Sequence, residues 1–319
     1  MMSRILGNHQ DIFSFQELHY FDEQLKGGDA TIDLNLSDAV KLYAKLCNIQ
    51  RNGYFGNQNI TPFLIEAEIK LKELNSLQAI AVYKKFIFDE TSRNHKSIPC
   101  KQTPQNVFAL DQILATFPDC KAIVMIRDPR EVLLSQKNKW KRRQLSGGKI
   151  PLWESLRSRV NYHPITISKI WNAAVNQGFK FKNDPRVLYV YYEKLLRHPE
   201  LELKEVCKHI GIPYTSELLD IPIAGSSNIG DFTDQRGIDS SKTGQWRKGG
   251  LSNTEIALCE KLTERLMHET GYELSGIKPN TLSRIWYSFS LPFSLFLAVL
   301  FNIKRLKNPV QLIQRFNQK

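Results

Sequence analysis

The chain has 319 residues, 42% of them hydrophobic and 24% charged, which excludes a disordered polypeptide and is enough for one large α/β domain with appendages. A net charge of +12 raises nucleic acid as a partner, but seven of the twelve excess charges (Lys278, Arg284, Lys304, Arg305, Lys307, Arg315 and Lys319) follow Glu273, the last acidic residue, so the body is only modestly basic and fits a small anionic ligand instead. Cys47, Cys100, Cys120, Cys207 and Cys259 show no Cys-x-x-Cys spacing, and indicate core thiols in a reducing compartment rather than a metal site or a disulfide framework.

Met2 to His9 reads as a helix that Gly7 or Asn8 stops, and the first residues carry none of the features of a secretory signal. Residues 10 to 21 alternate in part, with Ile12, Phe13, Phe15, Leu18 and Phe21, and predict a short extended segment. Leu34 to Leu46 and Pro62 to Leu77 show apolar residues at helical spacing, with Asn52-Gly53 and Asn57-Gln58-Asn59 marking a loop between them. Ala79 to Ile87 fits a strand or a helix equally well.

The most informative stretch is Ala122 to Ser135. Ala122 to Ile126 is a short apolar run expected to form a strand buried on both faces. Asp128 is a good N-cap, Pro129 suits the first helical position, and Glu131 completes an Asp-x-x-Glu capping box. A strand therefore feeds a helix through a tight turn, with Arg127 at the strand's carboxyl end beside backbone N–H groups and the positive end of a helix dipole. Ser135 follows about two turns into that helix, and the pair reads as a phosphate clamp.

Farther along, Lys137 to Arg143 is a basic run with one aromatic, Trp140, read either as a contact for an anionic acceptor or as a solvated helix end. Pro164 to Phe179 is a predicted helix with Ile167, Ile170, Trp171 and Ala174 on its core face. Val187 to Tyr191 is a second apolar strand, ended by Tyr192-Glu193. Pro199 opens a helix that buries Leu203, Val206, Cys207 and Ile210 and that Gly211 stops. Ser226 to Gly250 is a long polar loop, after which Ser252 and Glu255 form a capping box for a helix running to Gly271.

Four segments in order resemble sulfotransferases that use 3'-phosphoadenosine 5'-phosphosulfate (PAPS). Arg127-Asp128-Pro129 with Ser135 resembles their 3'-phosphate-binding element, and Lys101-Gln102-Thr103-Pro104 is similar to their Lys-Thr-Pro segment. Val187 to Leu196 resembles their Tyr-Glu-Asp-Leu strand, and Ser241 to Arg247 followed by Leu251-Ser252 resembles the late loop that closes over the nucleotide. The resemblance implies a three-layer fold like that of P-loop NTPases, with a central parallel sheet flanked by helices, spanning residues 1 to 277. It implies PAPS as sulfuryl donor, with Arg127, Ser135, Tyr192, Lys242 and Arg247 as its contacts. It also implies a carbohydrate, glycolipid or similar hydroxyl acceptor. No metal is implied.

For catalysis the resemblance points to Glu17 as the base that takes the acceptor's proton, with His19 as the alternative. Lys101 stands one residue earlier than the family's lysine, whose place Gln102 takes, so either residue is a candidate to face the sulfuryl group. The family's first strand and its Pro-Arg-Ser-Gly-Thr-Thr loop, which cradles the 5'-phosphosulfate, would precede Met1. A start codon assigned too far downstream or a shortened gene would each account for this. The second account makes a catalytically inactive nucleotide-binding or membrane-scaffold relative the rival reading. A kinase of related architecture is a further rival, against which no Gly-x-x-x-x-Gly-Lys-Ser/Thr motif occurs in the chain.

Residues 278 to 319 read as a separate tail. Ile285 to Ile303 is apolar apart from Ser288, Ser290, Ser294 and Asn302, opens with Trp286 and Tyr287, and is bracketed by Arg284 and Lys304-Arg305. As a helix it would be about 28 Å long, near a bilayer's hydrocarbon thickness. Pro292 interrupts it, and basic residues on both sides give no preferred orientation. A short helix after Asn308-Pro309 would align Val310, Ile313 and Phe316. The tail is therefore expected to lie in the cytoplasmic interface of a membrane as a monotopic anchor, its residues 284 to 319 on anionic headgroups, with a buried accessory helix as the alternative.

Overall fold

The computed structural model describes residues 1–24, 31–142, 144–145, 148–223 and 232–303. The basic residues from Lys304 onward, the short helix expected after Asn308 and the segment 224–231 of the long polar loop lie outside them. The chain forms two compact units, one built on Met1–Pro118 and Thr215–Ile221, the other on Asp119–Leu145, Ile150–Tyr214 and the chain from Pro222.

The first unit opens with α1 (Met2–Gly7), capped at Asn8 as expected. At Gly7 an added Cβ would come within 2.8 Å of Ser14 Cβ, so the absence of a side chain lets the helix end close against β1 (Ile12–Ser14). Then come α2 (Leu36–Asn52), α3 (Leu64–Leu71), α4 (Ala79–Arg93), β2 (Ile98–Cys100) and α5 (Leu110–Thr116). β1 and β2 pair in parallel, Ile12 opposite Ile98 and Ser14 opposite Cys100. The ambiguous Ala79 stretch is helical because it packs on α2, burying Val82, Tyr83 and Phe86 with Tyr43 and Phe15 in one aromatic core. Arg51 ties three of these helices together, meeting Glu66 at 2.6 Å and Glu90 at 2.6 Å. α3 stops at Leu71, short of the expected Leu77.

The second unit contains β3 (Ala122–Ile126), α6 (Pro129–Asn138), α7 (Leu152–Val160), α8 (Pro164–Phe179), β4 (Val187–Tyr191), α9 (Tyr192–Arg197), α10 (Pro199–Ile210), α11 (Asn253–Thr270) and α12 (Thr281–Asn302). β3 and β4 run parallel in unbroken register from Ala122 opposite Val187 to Ile126 opposite Tyr191. Ile126, Trp171, Val175 and Leu266 form a core between the strand end and α8 and α11. β3 is less buried than its composition suggested: only Ile126 is fully enclosed and the other four residues are half-buried, since β4 is its one partner among the described residues. On α8, Trp171 is buried as expected, but Ile170 is exposed. Gly211 and Gly271 end α10 and α11 in the left-handed conformation, and the Ser252–Glu255 capping box is fully formed.

Candidate functional site

The turn from β3 into α6 forms where the local sequence demands it. Asp128 Oδ1 accepts the Arg130 N–H at 2.9 Å, and Pro129 needs no partner. The capping box, however, is not closed by Glu131. The Asp128 N–H is donated to Glu193 Oε1 at 3.0 Å, from the start of α9 beside the strand end, and Glu193 Oε2 accepts from the Tyr272 hydroxyl at 2.7 Å. Two N–H groups of this turn are thus satisfied from within the chain, and the helix terminus is less open to an anion than the sequence implied.

What remains is the Arg127 guanidinium. Trp171 Nε1 donates to the Arg127 carbonyl at 2.9 Å and holds the strand end in place. The guanidinium carbon lies 4.5 Å from the centre of the Tyr192 ring, and Nη2 donates to Glu131 Oε2 at 3.1 Å. Its Nε is buried and has no hydrogen-bond partner among the described residues. Ser135 is buried on α6 two turns beyond the cap.

Glu131, freed from capping, joins Arg127 to the late loop. Its Oε1 accepts the Trp246 N–H at 3.1 Å. Burial raises its pKa above the ordinary carboxylate value, outweighing the opposing pull of the Trp246 N–H and of Arg127. Trp246 is buried and carries Arg130 over its ring at 4.0 Å and Arg247 at 4.5 Å. Lys242 closes a short 3-10 turn, Ser240–Lys242, with Nζ 3.7 Å from Asp239 Oδ2.

Sequence reasoning missed Arg130 and Glu193. Arg130 is fully buried, yet it is matched on every side: Asp128 Oδ2 at 2.7 Å, Glu260 Oε1 at 2.6 Å and the Glu273 carbonyl at 2.9 Å. The one available signal was a second arginine three residues after the first; Asp128 is a near neighbour, but Glu260 and Glu273 lie more than a hundred residues away.

In the first unit, Lys101 Nζ donates to the Gln16 carbonyl at 2.8 Å and to Thr103 Oγ1 at 3.2 Å. Gln102 turns the other way and its Oε1 accepts from Ser3 Oγ at 2.5 Å, as neighbours on an extended segment do. Lys101 therefore shares the surroundings of Glu17. Loss of water around Nζ pushes its pKa down to about 7, although Glu17 and Asp22 pull it upward.

Glu17 is exposed, and its Oε2 lies 3.6 Å from His19 Nε2. His19 Nδ1 meets Asp22 Oδ2 at 2.9 Å. Burial works against the protonated imidazole, but Asp22, Glu23 and Glu17 together raise its pKa. His19, Asp22 and Glu23 offer ligand atoms within 4.8 Å of one another. They are engaged as an ion-pair network, however, with Glu23 Oε2 accepting from the Tyr54 hydroxyl at 2.5 Å. The sequence-predicted residues thus form two groups: Glu17, His19 and Lys101 in the first unit, and Arg127, Ser135, Tyr192, Lys242 and Arg247 in the second.

Comparison with known proteins agrees with this arrangement of elements. The sulfotransferase domain from the curacin biosynthetic pathway superposes with a TM-score of 0.50 at 16% identity, covering 86% of this chain and 93% of that domain. The sulfotransferase domain from the Synechococcus PCC 7002 olefin synthase does so at 0.50 and 19%, covering 86% and 90%. These likenesses show the fold, the P-loop-like α/β architecture. A Caenorhabditis briggsae protein provisionally named protein-tyrosine sulfotransferase is 26% identical over 192 residues, 57% of this chain; the match spans 62% of that relative, less than two thirds of its length. The model of the sulfotransferase family matches residues 1–216, which include β3, β4 and the Arg127 turn, and the chain belongs to that family.

Proposed function

We propose that the protein transfers a sulfuryl group from PAPS to a hydroxyl group. The observation that carries this reading is Arg127, whose Nε is buried without a partner among the described residues while its guanidinium packs on Tyr192 and its Nη2 donates to Glu131. A buried donor left unpaired is costly, and a phosphate oxygen would satisfy it with a charge-assisted hydrogen bond. Arg127 and Ser135 hold the donor's 3'-phosphate, Tyr192 contacts the adenine, and Lys242 and Arg247 assist.

Glu17 takes the acceptor's proton as the acceptor oxygen bonds to sulfur. The bond from sulfur to the bridging phosphate oxygen breaks, and the electron pair leaves with the phosphate. Protonated Lys101 offsets the charge that develops there. His19 is the alternative base; its acidic neighbours favour the protonated form, which suits it less to accepting a proton. No metal enters the scheme.

The acceptor is a carbohydrate or glycolipid hydroxyl. The relative named for protein tyrosine favours a second class, a tyrosine side chain. Residues 1–277 form the sulfotransferase domain and 278–319 a tail that holds it to the cytoplasmic, inner face of a membrane, in keeping with one apolar helix long enough to cross a bilayer and the excess of basic residues after Glu273. Incubation with radiolabelled PAPS and a panel of glycans, glycolipids and tyrosine peptides tests the reading. Transfer of label to one class and none from ATP is the expected result. Binding of 3'-phosphoadenosine 5'-phosphate with transfer to no acceptor would leave the inactive relative as the better account.

A further inference from the structure

α12 runs unbroken through Pro292, and its two sides differ in what they meet. One side is pinned to its own unit. Ser290 Oγ lies 3.3 Å from His163 Nε2, and the Tyr287 ring packs edge-on against His163. Phe301 stacks on Trp153 of α7 with ring centres 4.8 Å apart. Asn302 accepts from Arg157 at 2.7 Å and donates to Asn161 at 2.8 Å.

The other side is an exposed stripe, Leu282, Trp286, Phe289, Phe293, Phe296 and Leu300, spaced alternately four and three residues apart so that all share one face. Phe289 is 79% exposed. On α7, Leu152 and Trp153 are exposed as well, and the Trp153–Phe301 stack joins them to the stripe. So large a continuous apolar surface is foreign to a protein surrounded by water.

The geometry points to α12 and the start of α7 as an in-plane docking surface for an anionic lipid leaflet, with the aromatic stripe sunk among the headgroups and α12 parallel to the membrane. Were α12 to cross the bilayer, it would carry the polar groups bonded to its inner face, Arg157, His163 and Asn161, into the hydrocarbon. The composition suits the interfacial zone, where Trp and Phe enter and cations remain at the phosphates. The rim is positive: Lys278, Arg284 and Arg159 are exposed, and no acidic residue occurs from Leu274 onward. A two-fold copy of the chain would set these like charges against each other, while an anionic leaflet complements them.

This inference deepens the membrane location proposed above and rests on it, but not on the chemistry. The test is co-sedimentation of the full chain with vesicles of phosphatidylcholine alone or with about one third phosphatidylglycerol. The Phe289→Ser/Phe293→Ser double variant and, separately, Leu152→Ser are compared after their thermal unfolding is shown to match the parent's. The expected result is binding to the anionic vesicles, release by alkaline carbonate, and at least about tenfold weaker binding of the double variant. Equal binding of parent and both variants would overturn the docking surface while leaving the location intact. No binding of the parent to either vesicle removes both. Retention after carbonate replaces the docked helix with a span. A concentration-dependent dimer, abolished in the double variant and without vesicle binding, assigns the stripe to a second copy instead.

Discussion

Arg127 in the second unit and Lys101 in the first are both candidate anion contacts, yet they are held in opposite ways. Arg127 is braced by a ring on one side and a buried carboxylate on the other, and that carboxylate is itself tied to the Trp246 backbone. Lys101 rests on a carbonyl and a hydroxyl, and the carboxylate nearest to it in role, Glu17, has 47% of its side chain exposed. The Lys101 pKa of about 7 lets its charge change under ordinary conditions. The difference fits a division of labour. On the proposed reading, the 3'-phosphate would be met by a rigid cation, and groups that exchange protons with a reacting acceptor would be left adjustable.

The largest effect should come from the adjustable group. Glu17→Gln is expected to lower kcat by about two to four orders of magnitude while leaving nucleotide affinity unchanged, as steady-state kinetics and calorimetry would show. An unchanged kcat would transfer the base's role to His19 or remove the division altogether.

Glu131→Gln attacks the rigid group. The amide keeps one acceptor for the Trp246 N–H but loses the charge that steadies Arg127, so a loss of about 1–3 kcal/mol in stability is expected, read as a lowered Tm. Nucleotide affinity should fall as well, because both Arg127 and the late loop lose a common support. A fall in Tm with full nucleotide affinity would mean that Glu131 serves folding alone.

The pH dependence separates the two groups more finely. If cationic Lys101 aids the leaving phosphate, activity should decline as pH rises through about 7, and Lys101→Arg should move that decline to higher pH. For stability the sign is reversed. The folded Lys101 releases its proton near 7 and the unfolded chain near 10.5, so between those values the unfolded state holds the extra proton and stability rises with pH. His19 acts oppositely: its raised pKa contributes stability that is complete below 6.5 and is lost as pH rises through the folded value. Urea titrations of the parent and of Lys101→Met across neutral pH would expose the first of these terms.

How far these features could be read from the sequence depended on how local their causes were. The Asp128 cap, Pro129, the Ser252–Glu255 box and the left-handed Gly211 and Gly271 are each decided within a few residues, and each was legible. The exchange of Glu131 for Glu193 at the Asp128 N–H was not, because a capping box in sequence cannot reveal that a residue 65 positions away reaches the same donor. Ala79–Arg93 was ambiguous since its helical form is chosen by packing on α2. The opposite directions of the Lys101 and Gln102 side chains were not legible either, because they are set by the partners Gln16, Thr103 and Ser3. Pro292 looked like an interruption, yet α12 continues through it on an exposed helix.

Whether Arg127 contacts a 3'-phosphate can be read from one direct comparison. Calorimetry of the parent chain and of Arg127→Ala with 3'-phosphoadenosine 5'-phosphate and with adenosine 5'-phosphate isolates the single group that differs between the ligands. If Arg127 holds the 3'-phosphate, the parent prefers the 3'-phosphorylated nucleotide by about one hundredfold and the variant loses most of that preference. Equal binding of the two nucleotides by the parent, or a preference untouched in the variant, would contradict it.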